Sequence, residues 1–377
     1  MTKKRFMKRG RKHDGSIGRT PPRPEAIHSV TFQSTTESQH ETPRHPGAAP
    51  PPDPETASPG LDVPGGRRGG SPNTRTGALP DRVESPRNAF IQEVRRAALR
   101  GIATSEGLVA AEGPHLLGEA LAGKWTLEVV LATRAARTRF AALFSRCKAT
   151  VIECSERALK AASGTEHSQG VIALLRPKAW TWPDLLANNL KGCAPLVVLL
   201  DSLQDAGNAG SIIRSAEAFG ATGVVLLEGS VQPANGKLVR ASAGSLFRVP
   251  FLPQVNRGQA LDRLAAAGCR IYGLVPVSVG LRTGEPASAG LRTGEQAGNR
   301  AAAFQTYDLL NAALSHAIAL VIGNEGAGLS PEVSAKAHLL SIPTQGVESL
   351  NAAVACSIAL FEASRQRAQR EASHEPV

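Results

Sequence analysis

Leu196-Val197-Val198-Leu199-Leu200 is continuously apolar, and the polar, glycine-containing stretch 201–210 behind it leads into helical spacing at 211–219. A strand without alternation is covered on both faces, as parallel sheets flanked by helices require. The same arrangement recurs downstream, with strands expected at 223–227, 270–275, 317–322 and 338–342 and helices at 259–267 and 350–370. This alternation predicts an α/β fold, with a parallel, doubly wound sheet over 195–370. In such sheets ligands bind beyond the carboxyl ends of the strands.

Upstream, 85–176 reads as a smaller α/β domain. Phe90, Ile91, Val94, Ala98 and Leu99 fall at helical spacing in 88–100, and Leu116, Leu117, Ala120 and Leu121 share a face of 114–122. A further helix is expected at 135–144, another opened by Ser155, and strands at 107–113, 127–131, 150–152 and 170–174. Residues 177–194, with Trp180, Trp182 and Pro183, read as a linker. Residues 1–84 hold few aliphatic side chains and runs such as Pro50-Pro51-Pro52. They cannot bury enough apolar surface to offset ordering and read as a disordered, basic, Pro- and Gly-rich tail. Residues 371–377 form a short second tail. Within 277–303 the sextet Gly280-Leu281-Arg282-Thr283-Gly284-Glu285 returns as Gly290-Leu291-Arg292-Thr293-Gly294-Glu295, which reads as a duplicated surface loop without chemistry of its own.

The 377 residues carry a formal charge of +11 and a pI near 9.9, which points to an anionic partner, nucleic acid first. Part of that excess lies in Lys3, Lys4, Arg5, Lys8, Arg9, Arg11 and Lys12, a run that reads either as a solvated tail or as an arm touching phosphate. Cys147, Cys154, Cys193, Cys269 and Cys356 show neither CxxC pairs nor metal-ligand spacing, as expected of a protein in the reducing cytoplasm with no metal site. No run approaches about 18 apolar residues, so no membrane span is expected. The basic N-terminus lacks the apolar core of a secretory signal.

Three segments place glycines and polar side chains after apolar strands. The first contains Asn208-Ala209-Gly210, expected at a helix start, with Arg214 early in that helix where amide dipoles favour anions. The second is Gly323-Asn324-Glu325-Gly326-Ala327-Gly328-Leu329-Ser330. Its glycines allow close backbone approach, and Ser330 and Pro331 read as the cap and first residue of a helix. It is neither GxGxxG nor a Walker loop, which disfavours a nicotinamide-dependent oxidoreductase. The third runs from Ile342-Pro343 to Ser349-Leu350-Asn351, with Ser349 as the expected cap of a long Ala-rich helix. Each taken alone is also what an ordinary capped turn looks like.

Together, in this order, the three resemble the signature motifs of the SpoU (TrmH-like) family of RNA 2′-O-ribose methyltransferases, of the SPOUT superfamily. The block 237–250, containing Ser242-Ala243-Gly244-Ser245, matches a further family segment. In the smaller domain, Glu112-Gly113-Pro114-His115-Leu116-Leu117 and 165–171 are similar to turns of the family's substrate-binding domain, which resembles a ribosomal protein. The third motif is one residue shorter than the common form and has Thr344 where methionine is frequent.

The resemblance implies a trefoil-knotted methyltransferase domain, S-adenosyl-L-methionine as cofactor and a homodimer with RNA, ribosomal rather than transfer, as substrate. It implies Gly323, Ile342 and Leu350 at the cofactor, and Asn208, Arg214, Glu325, Ser349 and Asn351 around the acceptor ribose. A free guanidinium keeps its proton to about pH 12, so Arg214 reads as an orienter of hydroxyl and phosphate, with proton acceptance as the bolder assignment. A non-catalytic RNA-binding protein of the same fold and a base-methylating enzyme remain as rival expectations. The helix over 350–370, with Leu350, Val354, Ile358 and Phe361 on one side, offers either a dimer surface or packing against its own sheet.

Overall fold

The computed structural model describes residues 80–188, 192–277 and 306–373. The duplicated sextets, and the tail up to residue 79, lie outside the described residues.

The smaller unit contains β1 (Arg82–Val83), α1 (Ala89–Arg100), β2 (Val109–Glu112), α2 (Pro114–Ala122) and β3 (Thr126–Thr133), then α3 (Arg134–Arg139), α4 (Ala141–Phe144), β4 (Thr150–Cys154), α5 (Glu156–Ala162) and β5 (Val171–Arg176). Its five-stranded sheet has the order β1-β4-β3-β5-β2, with β5 antiparallel to both β3 and β2. Asn88 starts α1 by accepting from the Phe90 amide at 2.9 Å, and Gly101 ends it at φ 65°. Ile91, Val94 and Ala97 are the buried face of α1, whereas Leu99, expected inside, is 58% exposed.

Three further expectations are revised. Order begins before Ser85, because β1 pairs in parallel with β4 and so adds an edge strand from what read as tail. The helix expected over 135–144 is two, separated by a turn at Phe140 (φ −111°, ψ 33°), whose ring packs against the core. The stretch read as linker holds α6 (Trp182–Leu186), with a capping box between Thr181 and Asp184. Leu185 is fully buried and Trp180 nearly so, with the Lys178 ammonium 3.9 Å from the Trp180 ring centre.

The larger unit comprises β6 (Leu196–Leu200), α7 (Ala206–Ala218), β7 (Gly223–Leu227), α8 (Gly236–Ala241), β8 (Phe251–Val255), α9 (Arg257–Ala266) and β9 (Arg270–Val275), followed by β10 (Thr306–Asp308), β11 (Ile318–Ile322), α10 (Pro331–Ser334), β12 (His338–Ser341) and α11 (Ala352–Ala372). The sheet is parallel throughout, in the order β10-β12-β9-β11-β6-β7-β8. Every residue of β6, β7 and β11 is buried, which is why those strands read as unbroken apolar runs. The edge strands β8 and β10 had no such signal: β8 carries Pro253 and buries only Phe251 and Leu252, and β10 has three residues.

One apolar core runs through both units, and the smaller unit packs a second, separate core under α1 and α5. The Trp125 ring lies 5.2 Å from Phe247 and 5.9 Å from Phe251, and the Lys124 amide donates to the Phe247 carbonyl at 2.8 Å. Beside this contact Arg248 bridges Glu217 of α7 and Glu119 of α2. Burial pushes the Glu217 carboxyl up, but the Arg248 guanidinium outweighs it and holds the group below its ordinary range. A depressed carboxyl stabilises the folded state above its unfolded pKa, and that contribution is lost as pH falls through the folded value. Glu217→Gln is therefore expected to cost about 1 kcal/mol at pH 7, since the pair is partly screened by solvent. The difference from wild type in urea midpoint should shrink as the pH is lowered below about 4; a pH-independent difference would remove the ion pair from the docking of the two units.

Candidate functional site

The carboxyl ends of β6, β11 and β12 bring three loops to one edge of the sheet. In the first, α7 starts earlier than expected. Asp205, not Asn208, is its cap, accepting from the Asn208 amide at 2.7 Å, so Asn208 sits in the first turn. Lys237 on α8 donates to the other Asp205 oxygen at 2.7 Å, and this contact, with the Asn208 amide, holds the Asp205 carboxyl below its usual range. Gly210 lets α8 approach closely, because a Cβ there would lie 2.6 Å from the Leu238 carbonyl and from the Ala241 Cβ.

Asn208, Glu325 and Asn351 come together in a row. The Asn208 Nδ2 donates to Glu325 Oε1 at 2.9 Å, and the Asn351 Nδ2 donates to Asn208 Oδ1 at 3.0 Å. The Asn351 Oδ1 accepts from the Ala353 and Val354 amides, so Asn351, rather than Ser349, caps α11. Capping fixes which way the Asn351 amide faces, and that direction passes through Asn208 to the carboxylate. The row ends in an exposed carboxylate oriented by amides, which is suited to holding hydroxyl donors.

The second loop is held from inside. Asn324 Oδ1 accepts from the Gly326 and Ala327 amides at 2.9 and 3.0 Å, and its Nδ2 donates to the Ser202 carbonyl at 3.0 Å. A Cβ on Gly323 would stand 2.3 Å from the Gly328 carbonyl oxygen, so the loop closes on itself only with glycine there. The Ser330 amide donates to Asp201 Oδ2 at 2.7 Å, while Arg257 Nε donates to Asp201 Oδ1 at 2.7 Å. Arg257 also reaches the hydroxyl of Ser202, a residue held at φ 58°, a left-handed conformation that non-glycine residues rarely adopt. Ser330 precedes α10, with Pro331 in the first turn, but its side chain makes no capping bond; its backbone amide is the group that anchors this end of the loop, on Asp201.

In the third loop Ile342 and Leu350 are half-buried and Ser349 is exposed. Thr344 Oγ1 donates to the Val347 carbonyl at 2.8 Å. Between Ile342 and Leu350 no main-chain amide donates to a main-chain carbonyl among the described residues.

Arg214 stands apart from the row. It is the ninth residue of α7, about 9 Å along the helix from Asn208 and roughly 120° around it. Because the helix begins at Ala206, Arg214 is not in the first turn as the sequence suggested; it is exposed and makes no ion pair among the described residues. The adjacent Ser215 meets Ser357 of α11 at 2.7 Å, on the side of α7 that also carries Asn208, so Arg214 lies outside the contact between the two helices. There α11 buries Ala353, Cys356, Ala359, Leu360 and Ala363 and leaves Val354, Ile358 and Phe361 exposed at 48%, 37% and 55%. Of those three, the Phe361 ring meets Phe219 edge-on, 5.8 Å between ring centres.

Asp201, Arg257 and Asn324 were not singled out from sequence. Asp201 had a signal, being the first polar residue after five apolar ones; Arg257, on α9, had none. Replacing Asn351 by aspartate separates its two jobs. Asn351→Asp keeps an oxygen for the cap, so the melting temperature should hold. It removes the amide donor to Asn208, so turnover should fall about 10- to 100-fold. Loss of stability in parallel with activity would make the residue a cap alone.

Comparison with known proteins agrees with this arrangement. The profile of the SpoU rRNA Methylase family matches residues 195–361, and that of the MRM3-like substrate binding domain matches 88–173. The chain is 36% identical over 53% of its length to an uncharacterized tRNA/rRNA methyltransferase of Synechocystis, of which the match spans 46%. It is 33% identical over 56% of its length to the 23S rRNA (guanosine-2′-O-)-methyltransferase RlmB of Xanthomonas campestris, 76% of which is covered. It is 29% identical over 74% of its length to the 23S rRNA (guanosine(2553)-2′-O)-methyltransferase RlmP of Bacillus subtilis, 97% of which is covered. Among solved structures, the AdoMet-bound rRNA methyltransferase of Sinorhizobium meliloti superposes with a TM-score of 0.59 at 26% identity, over 75% of this chain and 97% of that one. With both profiles in chain order and the parallel sheet carrying the three loops at one edge, the chain belongs to the SpoU rRNA methylase family.

Proposed function

We propose that this chain transfers a methyl group from S-adenosyl-L-methionine to a ribose 2′-hydroxyl of RNA, and that the RNA is ribosomal. The observation that carries the reading is the hydrogen-bonded row Asn351–Asn208–Glu325 at the carboxyl edge of the sheet, in a chain of this family. Ribosomal substrate is favoured by the names of the relatives and by the presence of the smaller domain; with such a substrate the chain works in the cytoplasm. Among the described residues no helix is long and apolar enough to cross a membrane.

The third loop fits the cofactor. Its main-chain amides are available for a ligand, Leu329, Ile342 and Leu350 are half-buried apolar neighbours, and Gly323 keeps the second loop closed beside them. When bound, the sulfonium supplies an electrophilic methyl whose transfer is downhill, so the demand on the protein is alignment and loss of one hydroxyl proton. Glu325, aimed by Asn208, holds the ribose; Ser349 and Asn351 flank it; Arg214 orients the hydroxyl and the neighbouring phosphate. The 2′-hydroxyl is absent from DNA, so acting there selects RNA by chemistry.

A homodimer supplies the geometry that one chain lacks. The exposed Val354, Ile358 and Phe361 of α11 form its apolar face, and the exposed Arg214 of α7 serves the site of the second copy. The chain path supports a trefoil knot: β12 lies between β10 and β9, yet α11, which follows it, packs on α7, so 342–351 must cross the ends of β9 and β11 beside the loop 323–330.

The test is transfer of tritiated methyl from the cofactor to unmodified ribosomal RNA, followed by nuclease digestion and mass spectrometry. Label on ribose is expected. Label on a base, or cofactor binding without transfer to any RNA, would overturn the proposal.

A further inference from the structure

The packing of the smaller unit on the larger one delivers part of α1 to the catalytic edge. α8 begins just after the loop that follows β7, so its first turn lies at the carboxyl side of the sheet, joined to the start of α7 through the Lys237–Asp205 pair. The C-terminal turn of α1 rests on that first turn. A Cβ placed on Gly101 would be 2.9 Å from the Asn235 Cα, and one on Gly236 would be 3.4 Å from the Ala98 carbonyl oxygen. The same point on Gly236 is 3.2 Å from Nη1 of Arg240, so the Arg240 guanidinium lies over α8 towards the end of α1.

Three exposed arginines flank this junction. Arg96, Arg100 and Arg240 are exposed, and none of them forms an ion pair among the described residues. Arg96 and Arg100 are four residues apart on α1, hence on one face, turned away from the buried Ile91, Val94 and Ala97. Leu99 and Ile102, 58% and 45% exposed, lie beside them. The Arg248 bridge to Glu119 and Glu217, together with the Trp125 contacts, fixes the junction relative to α7 and so to Asn208.

We propose that Arg96 and Arg100 of α1 and Arg240 of α8 form a phosphate-binding strip across the two units, on which RNA backbone flanking the target nucleotide is laid on its way to Asn208 and Glu325. The strip rests on the RNA-methyltransferase reading above, and it adds to that reading where the substrate runs. Exposed arginines held by rigid packing rather than by carboxylates have their donors available for phosphate oxygens. Arg240 also lies near the carbonyl end of α1, where a cation eases the helix dipole. That role alone would show in stability and not in RNA affinity.

The experiment compares the full chain with the triple variant Arg96→Ala, Arg100→Ala, Arg240→Ala, and with the matching triple change to lysine. Binding of an unmodified large-subunit rRNA transcript is measured over a series of salt concentrations, with Arg263→Ala on α9 as a control away from the junction. Removing one phosphate-bound arginine should lower the slope of log affinity against log salt by about 0.7–0.9, so the alanine triple should forfeit about two units of slope and bind roughly tenfold or more weakly at moderate salt. The lysine triple should recover most of the slope, Arg263→Ala should match wild type, and the alanine triple should raise KM for RNA with kcat nearly unchanged. An alanine triple with wild-type slope and affinity would overturn the strip while wild-type methyl transfer still stood. Weakened RNA binding in the alanine triple, with no methyl transfer by wild type, would sustain the strip and remove the enzymatic reading instead.

Discussion

Arg214→Ala is expected to reduce methyl transfer by about 10²- to 10⁴-fold while cofactor affinity stays within a few-fold. The second half of that expectation comes from geometry: Arg214 sits in the third turn of α7, outside the loops 323–330 and 342–351 that would hold the cofactor. Single-turnover transfer to ribosomal RNA and calorimetry with the cofactor measure the two quantities on one preparation. Full activity in the variant would take Arg214 out of the mechanism. The exposure of the residue, apart from the row in its own chain, adds a sharper check. If Arg214 of one subunit serves the row Asn351–Asn208–Glu325 of the other, inactive Arg214→Ala and inactive Asn351→Ala chains should recover part of the activity when refolded together, since mixed dimers then contain one intact site. No recovery, in a mixture shown to contain mixed dimers, would place all the working residues within a single chain.

Asp201→Ala should have the largest effect on stability. The carboxylate is wholly buried and has two partners, Arg257 Nε and the Ser330 amide, both at 2.7 Å. Deleting it leaves a guanidinium without its counter-charge and a main-chain donor without its acceptor, which costs about 3–5 kcal/mol, or a fall in Tm on the order of 10 °C for a chain of this size. Turnover should fall as well, because the Ser330 amide anchors the end of the loop that presents Glu325. Asp201→Asn retains an acceptor for Ser330 and should lie between the two. A double-mutant cycle with Arg257→Ala measures the pair itself; additive losses would mean that Asp201 acts through Ser330 alone.

The sheet was readable where burial left a mark on the residues. The runs 196–200, 223–227 and 318–322 are apolar because both faces are covered, and the loops after them stand out by their glycines and amides. Asn208, Glu325 and Asn351 are hydrogen-bonded to one another and Arg214 is not among them; α7 starts five residues sooner than its apolar spacing suggested and carries Arg214 past the first turn. Caps were misjudged for a related reason. Ser349 and Asn351 are both capable caps, and only the path of the third loop decides between them. Contacts such as Asp201 with Arg257, or Arg248 with Glu119, join residues whose local sequence says nothing about a partner 56 or 129 positions away.

The row of amides has a consequence for the birth of the protein. Glu325 lies 117 positions beyond Asn208, and Asn351 143 beyond it, so the strand and turn that bear Asn208 leave the ribosome long before their companions are synthesised. Parallel strands separated by such distances pair slowly, since loop closure must precede any compensating contact. Until α11 emerges and its cap locks Asn351 in place, the growing chain has a strand and a helix start but no assembled hydrogen-bonded row, and the row closes only once α11 has been made.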